Sequence, residues 1–226
     1  MDAFFIYREP FEEICHCYSQ QEEPTRFGSL TELDGHKGFV IAPFASNTTH
    51  PIYLLDGKSG QSSVLPLDGS KGFEAIPNGQ DEAYLETSEV APRIQYHNDF
   101  TCFHDELNRK SFRKLVLART IVEKKDEQMN PRDIFLKACE WYPRSYIALF
   151  YTAQTGMWLV ASPEILLRGD ATSYQTMALA GTMRYEGEEI QWSEKNREEQ
   201  QLVADYIRTC LQPFASDITE SEPFTS

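Results

Sequence analysis

The sequence predicts a mixed α/β (α+β) protein whose strands pair antiparallel. Three observations predict it. Several short runs of branched and aromatic residues follow one another with only Gly or Pro links, too short for the crossovers that parallel neighbours need. The segment "NPRDIFLKACEWYP" opens with a helix start signal. The segment "SEKNREEQQLVADYIRTCLQP" carries an apolar stripe at helical period.

The elements can be justified in order. "FFIY", "KGFVIAPF" and "PIYLLDG" read as short strands between Gly and Pro punctuation. "GQDEAYLETSEVAPR" reads as an exposed connection, and Phe100, Phe103 and Leu107 predict a helix from about His97 to Lys110. "SFRKLVLART" then predicts a buried strand, with Leu115 and Leu117 on one side and Val116 and Ala118 on the other. Parity puts Lys114 with Val116 and Ala118. If that side is covered, the ammonium must snorkel to solvent, find an anion or lose its proton.

The next helix starts at a capping Asn130 with Pro131 in its first turn, and Ile134, Phe135, Ala138 and Trp141 form one face. "SYIALFYT", "GMWLVAS", "EILLRGD" and "SYQTMALAGT" read as strands in close succession. The last helix runs from about Ser193 to Pro213, with Leu202, Val203, Tyr206, Ile207, Cys210 and Leu211 as its stripe. That stripe extends backward onto Glu198 and Glu199.

A chain of 226 residues with 41% hydrophobic and 12% aromatic content can build a sizeable core, as one large domain or two small ones. Its net charge of -14 argues against a nucleic-acid surface and against an anionic membrane. An anionic small substrate would need a locally positive pocket or a metal. The start, "MDAFFIYREPFEE", is neither a signal peptide nor a membrane span, so the expected location is cytoplasmic. Cys15, Cys17, Cys102, Cys139 and Cys210 are odd in number and lack framework spacing, which suits reduced thiols.

Some motifs dissolve on inspection. "DGKSGQSS" has Ile52 where a phosphate-binding loop needs Gly, and reads as a hairpin turn. The Cys15-His16-Cys17 triplet cannot complete a tetrahedral metal site and has no second pair; His97, Cys102 and His104 lack the spacing of a ligand pair on one helix face. The "NTT" at Asn47 is a sequon by pattern alone.

Two acids carry more chemistry. Glu164 in "ASPEILLRGD" sits where a Pro-introduced strand begins, near a sheet rim or face; a solvated acid there is an equally good reading. Glu199 continues the stripe of the last helix one turn before Val203, and a carboxylate there is either a partner of the helix dipole or a cation ligand. Lys114, Glu164 and Glu199 thus form a possible set of base, acid and metal carboxylate.

"KLVLAR" (Lys114 to Arg119), "ASPEILLR" (Ala161 to Arg168), "ALAGT" (Ala178 to Thr182) and "KNREEQQLVADYI" (Lys195 to Ile207) resemble successive blocks of the chorismate-binding enzymes. That family includes isochorismate, anthranilate, aminodeoxychorismate and salicylate synthases. The resemblance covers roughly His97 to Pro213. It implies two face-packed antiparallel sheets with outer helices, chorismate as substrate and Mg²⁺ as cofactor. It also implies that Glu199 ligates Mg²⁺, Lys114 activates water, Glu164 protonates the leaving hydroxyl, and Gly181 and Thr182 contact the substrate.

Lys114, where ammonia-using members usually have Gln, favours the water-using isochorismate or salicylate branch, and "ALAGT" resembles the isochorismate type, serving menaquinone or siderophore synthesis. Salicylate synthase, aminodeoxychorismate synthase and a non-catalytic interaction fragment are the alternatives. Two departures stand out. Gln200 follows Glu199 where the family usually has His, and the later blocks, with a second metal glutamate and a Gly-rich segment, have no counterpart. The expectation is therefore a single domain over 1–226, incomplete at its C-terminus, with 1–96 as the variable part and 97–226 as the first part of the core. Such a chain is expected to self-associate through uncovered apolar surface.

Overall fold

The computed structural model describes residues 3–56, 61–67, 90–123, 126, 128–183 and 191–223. The chain divides into two compact units, each made of two stretches: Met1–Gln80 with Glu127–Pro163, and Asp81–Asp126 with Glu164–Ser226. Its architecture is the expected mixture of antiparallel sheets and helices.

The first unit is built on strand alternation. Strands β1 (Ala3–Arg8), β2 (Ile14–Gln20), β6 (Gln61–Pro66), β7 (Tyr146–Thr152) and β8 (Gly156–Ser162) form an antiparallel sheet in the order β6-β2-β1-β7-β8. Strands β3 (Thr25–Phe27), β4 (Phe39–Ile41) and β5 (Ile52–Leu55) form a second sheet with β5 in the middle, and a short 3-10 helix, Leu30–Leu33, follows β3.

On one face of the larger sheet, Phe4, Ile6, Cys15, Ile147 and Leu149 pack with Phe135, Ala138 and Cys139 of helix α2 (Pro131–Trp141). On the opposite face Phe5 stacks on Tyr18 and on Phe39 of β4, at 5.1 and 4.4 Å between ring centroids, so the smaller sheet lies against this aromatic layer. Gly38 is required where β4 begins, because a Cβ there would stand 2.2 Å from the Leu55 carbonyl oxygen.

Helix α2 starts as its sequence predicts, with the Asn130 side chain accepting from the Arg132 N–H at 3.0 Å. Its C-terminus is capped by a residue the sequence gave no reason to single out. Arg8, 1% exposed, donates to the carbonyls of Pro143, Tyr142 and Cys139 at 2.6, 2.7 and 3.2 Å. A guanidinium suits that position, since these carbonyls carry the negative end of the helix dipole.

The second unit contains helix α1 (Val90–Asn108), two short paired strands, β9 (Arg168–Gly169) and β10 (Tyr174–Gln175), and helix α3 (Glu194–Leu211).

Several expectations need correction. Helix α1 begins at Val90 rather than near His97, so "VAPR" belongs to it and not to a connection. Trp141 is 68% exposed, and Cys139 takes the inward place on α2. Residues 57–60 of "DGKSGQSS" lie outside the described residues, but β5 and β6 belong to different sheets and do not pair as a hairpin. Only two residues each of "EILLRGD" and "SYQTMALAGT" are strand. The segment from Lys114 to Arg119 is not part of a strand, and Val116 is 77% exposed. Branching favours an extended backbone, but a strand also needs a neighbour for its N–H and C=O groups, and no described strand pairs with it.

Candidate functional site

Every sequence-predicted site residue falls in the second unit. The course of Lys114 is set at the end of α1. There Ser111 N–H donates to the Glu106 carbonyl and Lys110 N–H to the Leu107 carbonyl, at 3.1 and 3.0 Å, while Lys110 takes φ 59°. This is the helix-ending turn that usually carries Gly at the left-handed position. The Glu106 carboxyl reinforces it: hydrogen bonds from Ser111 and then Arg109 hold its pKa below the ordinary glutamate value.

Beyond that turn Lys114 reaches Glu199, with Nζ 2.9 Å from Oε1. Both side chains are partly covered, at 27% and 32% exposure. Of the outcomes open to a lysine on a covered side, it has found an anion. Glu199 sits in the second turn of α3, whose N-terminus is capped by Ser193 Oγ accepting from the Asn196 N–H at 3.3 Å.

The "ALAGT" segment lies along the first turns of the same helix. Gln200 Nε2 donates to the Ala178 carbonyl at 3.3 Å. Gly181 has φ 80°, and a Cβ on it would meet the Trp192 ring at 3.3 Å and Asn196 at 3.4 Å. Asn196 and Gln200, four residues apart, share one side of the helix, and Trp192 precedes its N-cap. Gly181 is half-buried and Thr182 is exposed.

Glu164 is joined to this arrangement through the backbone. Its neighbour Ile165 accepts at its carbonyl from Met177 N–H at 3.1 Å, and Met177 leads directly into Ala178. The Glu164 residue is exposed. Between these strands, Asp170 Oδ1 accepts from Thr172 N–H, Thr172 Oγ1 and Ser173 N–H at 2.8, 2.8 and 3.0 Å. Those bonds, led by the backbone N–H of Thr172, hold its pKa below the ordinary aspartate value.

A metal fits here in one way only. Among the described residues no group of three or more His, Cys, Asp or Glu gathers that could cage an ion. Glu199 already holds a cation, the Lys114 ammonium, on one carboxylate oxygen. That donor set suits a hard ion anchored by one carboxylate and completed by water and substrate oxygens, as Mg²⁺ commonly is. Arg109, Lys110, Arg113, Lys114 and Arg119 also crowd one short stretch of an otherwise acidic chain, providing local positive charge for an anion.

Sequence reasoning missed Gln200 as a contact to "ALAGT" and Lys110 as the turn that aims Lys114. The first was visible only as a departure from a pattern, and a lysine gives no turn signal at all. Among the described residues, no helix is long and apolar enough to cross a membrane. Compared with known proteins, residues 70–224 match the family model described as chorismate binding enzyme, a range wider at both ends than the quoted blocks. No curated protein and no solved structure matches the chain.

Proposed function

The chain belongs to the chorismate-binding enzyme family, and from that premise we propose that it carries out isochorismate synthase chemistry. One observation carries the reading: Lys114 and Glu199, far apart in sequence, meet at 2.9 Å beside the helix face that holds "ALAGT". In this proposal Lys114 takes a proton from water attacking the ring, and Glu164 gives one to the departing hydroxyl. Water is a poor nucleophile and hydroxide a poor leaving group, so a base and an acid each lower the barrier, by roughly 10²–10⁴-fold.

Gly181 and Thr182 contact the substrate in this reading. Glu199 would hold Mg²⁺ together with the substrate carboxylate, and the ion would offset the negative charge of the ligand. While its ammonium donates to Glu199, Lys114 has no lone pair for water. The pair is therefore the resting arrangement, and Lys114 must leave Glu199 and release its proton to solvent before it acts as a base. A lysine at this position rather than an amide also supports a water-using reaction over an ammonia-using one, since an amide cannot accept the proton.

The test is incubation of the protein with chorismate and Mg²⁺ followed by chromatographic identification of products. Isochorismate is the expected product, and it should disappear in Lys114→Ala while chorismate binding persists. Salicylate with pyruvate, or an amino product formed only with ammonia, would assign the chain to another branch. Normal turnover by Lys114→Ala would remove Lys114 as the base.

A further inference from the structure

We infer that Gln200 is a positioning residue, which fixes the substrate-contacting segment Ala178–Thr182 at a set distance from the Glu199 carboxylate. The inference rests on the proposed function for what the segment binds, but the anchor itself is geometric. Gln200 Nε2 donates to the Ala178 carbonyl at 3.3 Å, with both residues half-buried. Gly181 closes against Trp192 and Asn196, so the segment touches α3 at two places. Gly181 takes φ 80°, a conformation that suits glycine at its close approach to α3. Met177 N–H holds the start of the segment to the Ile165 carbonyl, and Gln200 ties Ala178 itself to the helix.

The neighbour relation gives the tie its meaning. Gln200 follows Glu199 on the same helix turn, so a shift of α3 moves the carboxylate and the segment together. A substrate held by both would meet donors at constant spacing, and binding geometry of this kind is sensitive to displacements of about 1 Å. What the position needs here is a side-chain N–H that reaches a backbone carbonyl, and a glutamine amide provides it.

Two variants separate the amide from its bulk. Gln200→Met keeps length and helix preference but has no donor, and Gln200→Glu keeps shape while setting an acceptor against an acceptor. Without ligand, amide hydrogen exchange read by mass spectrometry over 177–183 should be roughly 3- to 10-fold faster in both, chiefly at Met177, whose N–H bond to the Ile165 carbonyl opens more often once the neighbouring Ala178 is released from the helix. Exchange in the centre of α3 should be unchanged. Titration with chorismate, followed calorimetrically and by tryptophan emission, should show a similar fold loss of affinity.

Unaltered exchange at 177–183 in both variants overturns the inference. Faster exchange with parental chorismate affinity overturns its functional half. A parent that binds no chorismate overturns the proposed function instead, and faster exchange would then support the anchor alone.

Discussion

Lys114 Nζ lies 2.9 Å from Glu199 Oε1, so an ammonium sits where the proposed cofactor would be anchored. Two cations cannot share one carboxylate oxygen at full strength. Lys114→Met should therefore tighten Mg²⁺ binding at least several-fold in a calorimetric titration, since losing a like charge nearby is worth about 1 kcal/mol or more. Stability should fall by no more than ~1 kcal/mol, because the pair is partly solvated. Equal or weaker Mg²⁺ binding by the variant would show that ammonium and metal do not compete.

Glu164→Gln should cut turnover by roughly 10²–10⁴-fold while leaving the melting temperature within a degree or two of the parent. The amide keeps the shape of the side chain but cannot deliver a proton. Parallel losses of rate and melting temperature would make Glu164 a structural residue.

Arg8→Met should destabilise the first unit by about 2 kcal/mol in urea unfolding, because the buried Cys139 carbonyl and the part-buried Tyr142 and Pro143 carbonyls lose the guanidinium, while Tyr142 and Pro143 keep backbone donors from Ser145 and Phe11. Arg8→Lys should recover only part of that, since one ammonium cannot span carbonyls that a guanidinium fork reaches together. A loss below ~1 kcal/mol for Arg8→Met would mean that water replaces the guanidinium at no cost.

Acid should loosen the β9–β10 turn. Asp170 has a folded pKa below its ordinary value of 3.8, because backbone and hydroxyl donors hold the carboxylate. Its stabilising contribution is complete above the ordinary value and is lost as pH falls through the lower folded one. Carboxyl chemical shifts should place the Asp170 midpoint below 3.8. Asp170→Ala should abolish this pH dependence at Thr172 and Ser173, and an unchanged profile in the variant would contradict the assignment.

How much was legible depended on whether an element's cause was local. Helices α2 and α3 were readable because Asn130, Pro131 and Ser193 announce them and their apolar residues keep one period. The β7–β8 hairpin was readable from two apolar runs joined by a short Gly-containing link. Strand β2 was missed because its "CHC" invited a metal question and hid the alternation, in which Cys15 points to α2 while His16 stacks on Tyr7 across the sheet. The strand expected at Lys114 failed for the opposite reason: its residues favour extension, but pairing depends on a distant partner that composition cannot report. Lys114 and Glu199 were both marked by chemistry and resemblance, yet their direct pairing required the fold.

The larger sheet also sets a timetable for synthesis. Its central strand β1 is flanked by β2, which arrives within a few residues, and by β7, whose Ala148 partners Tyr7 about 140 residues further along. At typical elongation rates the free edge of β1 therefore waits on the order of ten seconds on the ribosome before its second neighbour emerges. During that wait "FFIY" presents an unpaired, aromatic edge of the kind on which another chain can pair.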